Sequence, residues 1–89
     1  MNEPLPLHSC VYVLKLENEN WYVGITYNLN TRMAQHWSGN GAKWTKLHKP
    51  ISIEKVIYPA STEIENQTTL EYMERYGKEK VKGGNYCRV

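Results

Sequence analysis

Two short apolar runs, CVYVLKL at 10–16 and WYVGIT just before 27, stand on either side of the polar ENEN, and they constrain this chain more than any other feature. Both are rich in β-branched and aromatic residues. With so short a polar stretch between them they read as a β-hairpin, with strands around 10–16 and 20–26. Both strands are apolar on both faces, so the sheet they start has to be covered by helices on each side. An 89-residue chain has room for one core. A single domain over 9–89 is expected, after an irregular lead-in at 1–8, MNEPLPLH, which holds two of the four prolines.

The remaining elements follow from caps and periodicity. Asn28 suits an N-cap, and LNTRMAQHW places Leu29, Met33 and Trp37 at i, i+4 and i+8, which predicts a helix over about 29–38 with that stripe buried. SGNGAKWTKLHKP reads as a loop, ISIEKVIY as a third strand stopped by Pro59. From Ser61 or Thr62, TEIENQTTLEYMERYG begins with a Thr cap and a Glu three residues on, and it closes at Gly77, which predicts a second, longer helix. KEKVKGGNYCRV reads as a basic, glycine-containing tail. The order β-β-α-β-α describes a small α+β sandwich whose three-stranded, largely antiparallel sheet is flanked by helices.

The net charge of +2, from eleven basic and nine acidic residues, is too balanced for binding nucleic acid by bulk charge. Distribution says more than the sum. Arg32, Lys43, Lys46 and Lys49, with His36 and His48 among them, form a stretch without a single acid, either one basic face or a solvated loop. Cys10 and Cys87 sit far apart with no CxxC and no zinc-like spacing, which suits free thiols in a reducing compartment. No apolar run approaches a membrane span and no signal peptide is present. A soluble, intracellular protein with no membrane partner is expected, in cytoplasm or nucleus, or virus-encoded in a host cell.

On the second strand, alternation puts Tyr22 and Gly24 on one face and Trp21, Val23 and Ile25 on the other. A glycine inside a strand usually marks the close approach of another group. On the following helix Asn28, Arg32 and His36 lie at i, i+4 and i+8, beside the apolar stripe. Arginine offers a planar fork suited to phosphate, and histidine can take or hold a proton near neutral pH. Spacing alone fits a solvated flank as well as a site. In the loop, Lys43, Trp44 and Lys46 alternate cation and aromatic, which suits a DNA backbone, and Trp44 equally suits a pin to the core.

The succession VYV at 11–13, YVG at 22–24 and NLNTRMAQH at 28–36 resembles the GIY-YIG nuclease family. Its hallmark is a pair of tyrosine-containing tripeptides on a hairpin, followed by a helix carrying Arg and then His. The first tripeptide has Tyr12 at its centre instead of its end, and the second differs by Val for Ile. The resemblance covers most of residues 9–77. It implies a metal-dependent endonuclease that hydrolyses DNA phosphodiester bonds, with Tyr12 taking a proton from water, Tyr22 and His36 ordering water and phosphate, and Arg32 complementing the phosphate oxygens. It also implies a glutamate of the later helix holding one Mg²⁺ or Mn²⁺. ENQTTLEYMERYG with KVKGG is similar to a subset, many of them viral, with a Glu-Asp pair early in this helix and a VRGG tail, which points to Glu65. Another common pattern would place the ligand at Glu71. An Asn near the end of the domain often joins the family's site, and Asn85 matches that place. A nucleic-acid-binding module that has lost cleavage is the alternative, and a protein-interaction domain the third. Oligomeric state, a partner protein and a larger parent chain all stay open.

Overall fold

A computed structural model of the chain describes residues 8–86. The hairpin forms as the sequence requires. Strand β1 (Cys10–Leu16) pairs antiparallel with β2 (Asn20–Thr26). Asn18 and Glu19 take positive φ values of 60° and 59° in the connection, the left-handed pair that twists a tight hairpin turn the right way. The Asn20 side chain donates to the Glu17 carbonyl at 2.9 Å and closes the turn.

Helix α1 (Leu29–Trp37) starts at Asn28, whose side chain accepts from the Thr31 amide at 3.1 Å. Its buried stripe differs from the expected one. His36 is 1 % exposed, whereas Trp37 is 47 % exposed. The face turned to the sheet runs through Leu29, Met33 and His36, at i, i+4 and i+7, because a polar partner on β1 receives the histidine. The stretch read as one long loop contains a short helix, α2 (Lys43–Leu47), and β3 follows (Pro50–Ile57). Helix α3 (Thr62–Tyr76) ends at Gly77, which has φ 103°. Its cap is Ser61, whose hydroxyl accepts from the Ile64 amide at 3.0 Å, so Thr62 is already helical and Glu65 takes no part in capping.

The sheet has four strands in the order β3-β1-β2-β4, not three. The residues read as a tail supply β4 (Val81–Gly83), which pairs parallel to β2, so the sheet is mixed. A three-residue strand containing one lysine and one glycine has no alternation to betray it. It exists because α3 returns the chain to the free edge of β2, a crossover of the kind parallel pairing requires.

Helices cover both faces of the central hairpin. Val11, Val13, Trp21 and Val23 pack with Val81 and Tyr72 on the α3 side. Tyr12, Leu14, Leu16 and Tyr22 pack with Leu29, Met33 and Trp44 on the α1 and α2 side. The far edge is β3, where Ile51, Ile53 and Val56 are exposed and the pairing with β1 is broken by register shifts. Cys10 is buried as a free thiol; Cys87 and the lead-in before residue 8 lie outside the described residues. Among the described residues no helix is long and apolar enough to cross a membrane.

Candidate active site

Tyr12 lies in the middle of β1, 1 % exposed, with Gly24 as its register partner on β2. A Cβ on Gly24 would run into the Tyr12 hydroxyl and ring. The glycine is therefore the seat on which the phenol ring rests, which answers why the second strand carries one. Gly24→Ala is expected to lower stability by about 1–3 kcal/mol, the usual cost of forcing volume into a filled site. A shift in the urea midpoint measures it, and an unchanged midpoint would mean that the ring can swing away freely.

The seat directs the hydroxyl toward α1. Tyr12 Oη is 2.7 Å from His36 Nε2. The other ring nitrogen, Nδ1, is 3.0 Å from Thr45 Oγ1 on α2, and that hydroxyl donates to the Ala42 carbonyl at 2.8 Å. Tyr22 closes the group, its ring centroid 6.2 Å from that of Tyr12 and 5.2 Å from that of His36. Arg32, one helical turn before His36, lies against both tyrosine hydroxyls and also donates to Gln35 Oε1 at 2.7 Å. The four residues Tyr12, Tyr22, Arg32 and His36 thus converge on one face of the hairpin.

Burial pushes the Tyr12 phenol well above its ordinary value, with Tyr22 adding to the effect and Arg32 opposing it. Burial, and then the Arg32 charge, pull His36 down from 6.5 to about 4. The resting pair at neutral pH is a phenol beside an uncharged imidazole. Desolvation works against the Arg32 charge, but the Tyr12 and Tyr22 hydroxyls outweigh it and hold the guanidinium firmly protonated.

Glu65 comes from the first turns of α3, the helix that packs on the other face of the sheet, and its charge acts on Tyr12. It is half-buried, which raises its carboxyl, while the Gly84 backbone N–H just beyond β4 holds the ionised form. Among the described residues no basic side chain offsets its charge. Glu71 is exposed and lines a separate surface hollow with Glu74 and Arg75.

Of the residues expected at a nucleic-acid surface, Lys43 and Lys46 are exposed on α2. Trp44 is 8 % exposed, its Nε1 donates to the Trp21 carbonyl at 3.0 Å, and Lys82 covers its ring at 5.3 Å, so it is the pin of the two alternatives and offers no open face to a base. Asn85 is tied by its backbone N–H to Asn66 Oδ1 at 2.8 Å and borders a hollow that includes none of Tyr12, Tyr22, Arg32 or His36. A different hollow, lined by His36, Ser38, Thr45, Lys46 and Lys49, opens beside the histidine.

Two residues at the site had no signal strong enough to be singled out. Gly41 lies so close over His36 that a Cβ there would meet Nδ1, and Thr45 contacts the same atom. The glycines of GNG were legible as loop residues, and a lone threonine after a tryptophan says nothing about a histidine nine positions earlier.

A stretch of 42 residues is 40% identical to the UPF0213 protein YazA of Bacillus subtilis, covering 47% of this chain and 42% of the relative. Over 46 residues the chain is 41% identical to the UPF0213 protein NMC1807 of Neisseria meningitidis, covering 52% of this chain and 50% of the relative. These matches span half the relatives' length or less. A longer one, 31% identical over 85 residues and 90% of both chains, is to the UPF0213 protein BH0048 of Halalkalibacterium halodurans. No solved structure gives a significant match. The family model described as the GIY-YIG catalytic domain matches residues 8–86, the same span that carries the hairpin, the Tyr12 cluster and Glu65, and the chain belongs to the GIY-YIG family.

Proposed function

We propose that the chain is a metal-dependent endonuclease hydrolysing DNA phosphodiester bonds. The observation that carries this reading is the Tyr12 hydroxyl at 2.7 Å from an uncharged, buried His36, with Arg32 alongside. A phenol is a poor base unless its proton has somewhere to go and its anion is stabilised. His36 Nε2 supplies the first and the Arg32 guanidinium the second.

The donor set fits a hard divalent cation of the Mg²⁺ or Mn²⁺ kind. Such ions are commonly held by one or two carboxylates, waters and substrate phosphate oxygens, not by a full protein cage. Glu65 is a half-buried carboxylate whose charge no basic side chain offsets among the described residues, and among those residues no cluster of three or more His, Cys, Asp or Glu forms a closed metal site. When bound, the ion would neutralise charge on the phosphate and on the leaving oxygen.

The chain's own residues account for the remaining steps. Arg32 pairs with the phosphate oxygens as charge builds on them. Burial is the main reason that His36 is uncharged, and phosphate entering beside Arg32 cancels part of the positive field that adds to it, so the imidazole accepts the Tyr12 proton more readily. The phenolate then takes a proton from water, which attacks phosphorus. Tyr22 orders the attacking water and the phosphate. Lys43, Lys46 and Lys49 line the route of the DNA backbone past the site.

The test is incubation with plasmid, branched and single-stranded DNA, with Mg²⁺ or Mn²⁺ and with EDTA. Metal-dependent nicking is expected, and DNA binding without cleavage of any substrate would leave the fold as a binding module. Glu65→Gln is expected to raise the metal concentration needed for half-maximal cleavage at least about tenfold, an effect of the size seen when the support of a metal site is lost. Glu71→Gln should leave it unchanged, and the reverse pattern would move the ligand to Glu71.

A further inference from the structure

Hydrogen-bond accounting fixes where the protons sit around His36. Thr45 has a single hydroxyl proton. The Ala42 carbonyl can only accept, and it lies 2.8 Å from Thr45 Oγ1, so the proton is spent there. Toward His36 Nδ1, 3.0 Å away, Thr45 can then only accept, and Nδ1 must carry the hydrogen. In an uncharged imidazole the opposite nitrogen is then bare, and Nε2 is the atom 2.7 Å from the Tyr12 hydroxyl. The result is one directed chain, from Tyr12 O–H to His36 Nε2 and from Nδ1–H through Thr45 to the Ala42 carbonyl.

We infer that Thr45 is a positioning residue that locks His36 in its Nδ1–H form, so that Nε2 stands ready to receive the Tyr12 proton. The inference rests on the proposed role of Tyr12 only for its consequence in catalysis; the proton placement follows from the geometry. In the step itself, the O–H bond of Tyr12 breaks and an N–H bond forms at Nε2, leaving a phenolate and an imidazolium. The Nδ1–H bond to Thr45 survives the transfer, so the ring need not turn before or after it.

The short helix that supplies Thr45 is built for this contact. Ala42 is its N-cap, and the same Ala42 carbonyl accepts from the Lys46 amide at 3.1 Å, which keeps that oxygen aimed along the helix where Thr45 can reach it. Trp44 anchors the helix to the Trp21 carbonyl from the neighbouring position. Gly41 lets the chain pass over the imidazole without a clash. Each of these removes a freedom that would let the threonine drift from Nδ1.

The experiment is a long-range ¹H–¹⁵N correlation spectrum of the histidine-labelled protein near pH 7. Wild type is expected to show His36 as the Nδ1–H form alone, and an Nε2–H form would overturn the inference without any variant. In Thr45→Val the lock is gone, and a mixture of both forms is expected; Thr45→Ser should restore the single form. A valine variant with the wild-type pattern would overturn it. With a DNA substrate, Thr45→Val should cut about tenfold more slowly, in keeping with lost outer support of a working histidine, and Thr45→Ser should recover most of the rate. If the spectra come out as expected but wild type cleaves no DNA, the proton placement stands and the nuclease reading falls.

Discussion

Tyr12→Phe is expected to cut the rate of DNA cleavage by about 10²- to 10⁴-fold, the range spanned by removal of a positioned acid or base. The substitution removes one oxygen and leaves the ring on its Gly24 seat, so neither β1 nor the hairpin need move. What it breaks is the bond to His36 Nε2. That nitrogen stays buried with no donor, at a stability cost of about 1–3 kcal/mol. DNA affinity should change little, because the phosphate-facing cations are untouched. Single-turnover cleavage together with a binding titration separates the two effects. A phenylalanine variant that cleaves at the wild-type rate would remove Tyr12 from the chemistry.

Arg32→Ala is expected to cost about 10²- to 10³-fold in cleavage, the usual loss when one donor to a developing oxyanion disappears. It carries a second signature that loss of a merely structural arginine would not. The guanidinium is the second cause, after burial, of the low His36 value of about 4. Removing it should move the His36 titration upward while leaving it below 6.5, since burial remains the larger cause. The sign follows from charge: a neighbouring cation disfavours imidazolium, and its loss lets the ring protonate at higher pH. An NMR titration of His36 reads this directly. A titration that stays at about 4 would mean that Arg32 does not act on the histidine.

The hairpin was legible almost to the residue, because two runs of β-branched and aromatic side chains with ENEN between them admit no other local arrangement. Both longer helices were legible from caps and breakers, with one displacement. Of the two starts, Ser61 and Thr62, it is Ser61 that caps, and the Thr62 and Glu65 pair forms no reciprocal cap, Glu65 instead meeting the Gly84 backbone. Local pattern offered both, since Ser and Thr are each favoured N-caps and Thr62 has a Glu three residues on. The tetrad of Tyr12, Tyr22, Arg32 and His36 was read from the resemblance to the GIY-YIG family, spacing alone being ambiguous, and the burial of His36 in place of Trp37 was not read at all. A hydrophobicity pattern assigns the indole to the core, and the Tyr12 and Thr45 hydroxyls, one on each ring nitrogen, make the imidazole the better occupant. The fourth strand and α2 were illegible for a shared reason. Each is short, each lacks periodicity, and each is stabilised by partners distant in sequence, β2 for one and Trp21 for the other.

The two parts of the candidate site are carried by helices that pack on opposite faces of one sheet. The proton chain from Tyr12 through His36 to Thr45 lies on the α1 and α2 side, whereas Glu65 is carried by α3, which packs on the other face, and its charge acts on Tyr12. Inheritance can therefore act on the halves separately. On the proposed reading, a change on α3 would alter the hold on a cation while the tyrosines, arginine and histidine keep their places. By the same route, a descendant one substitution away could keep the whole phosphate-facing surface, give up cutting, and persist as a protein that only holds its nucleic acid.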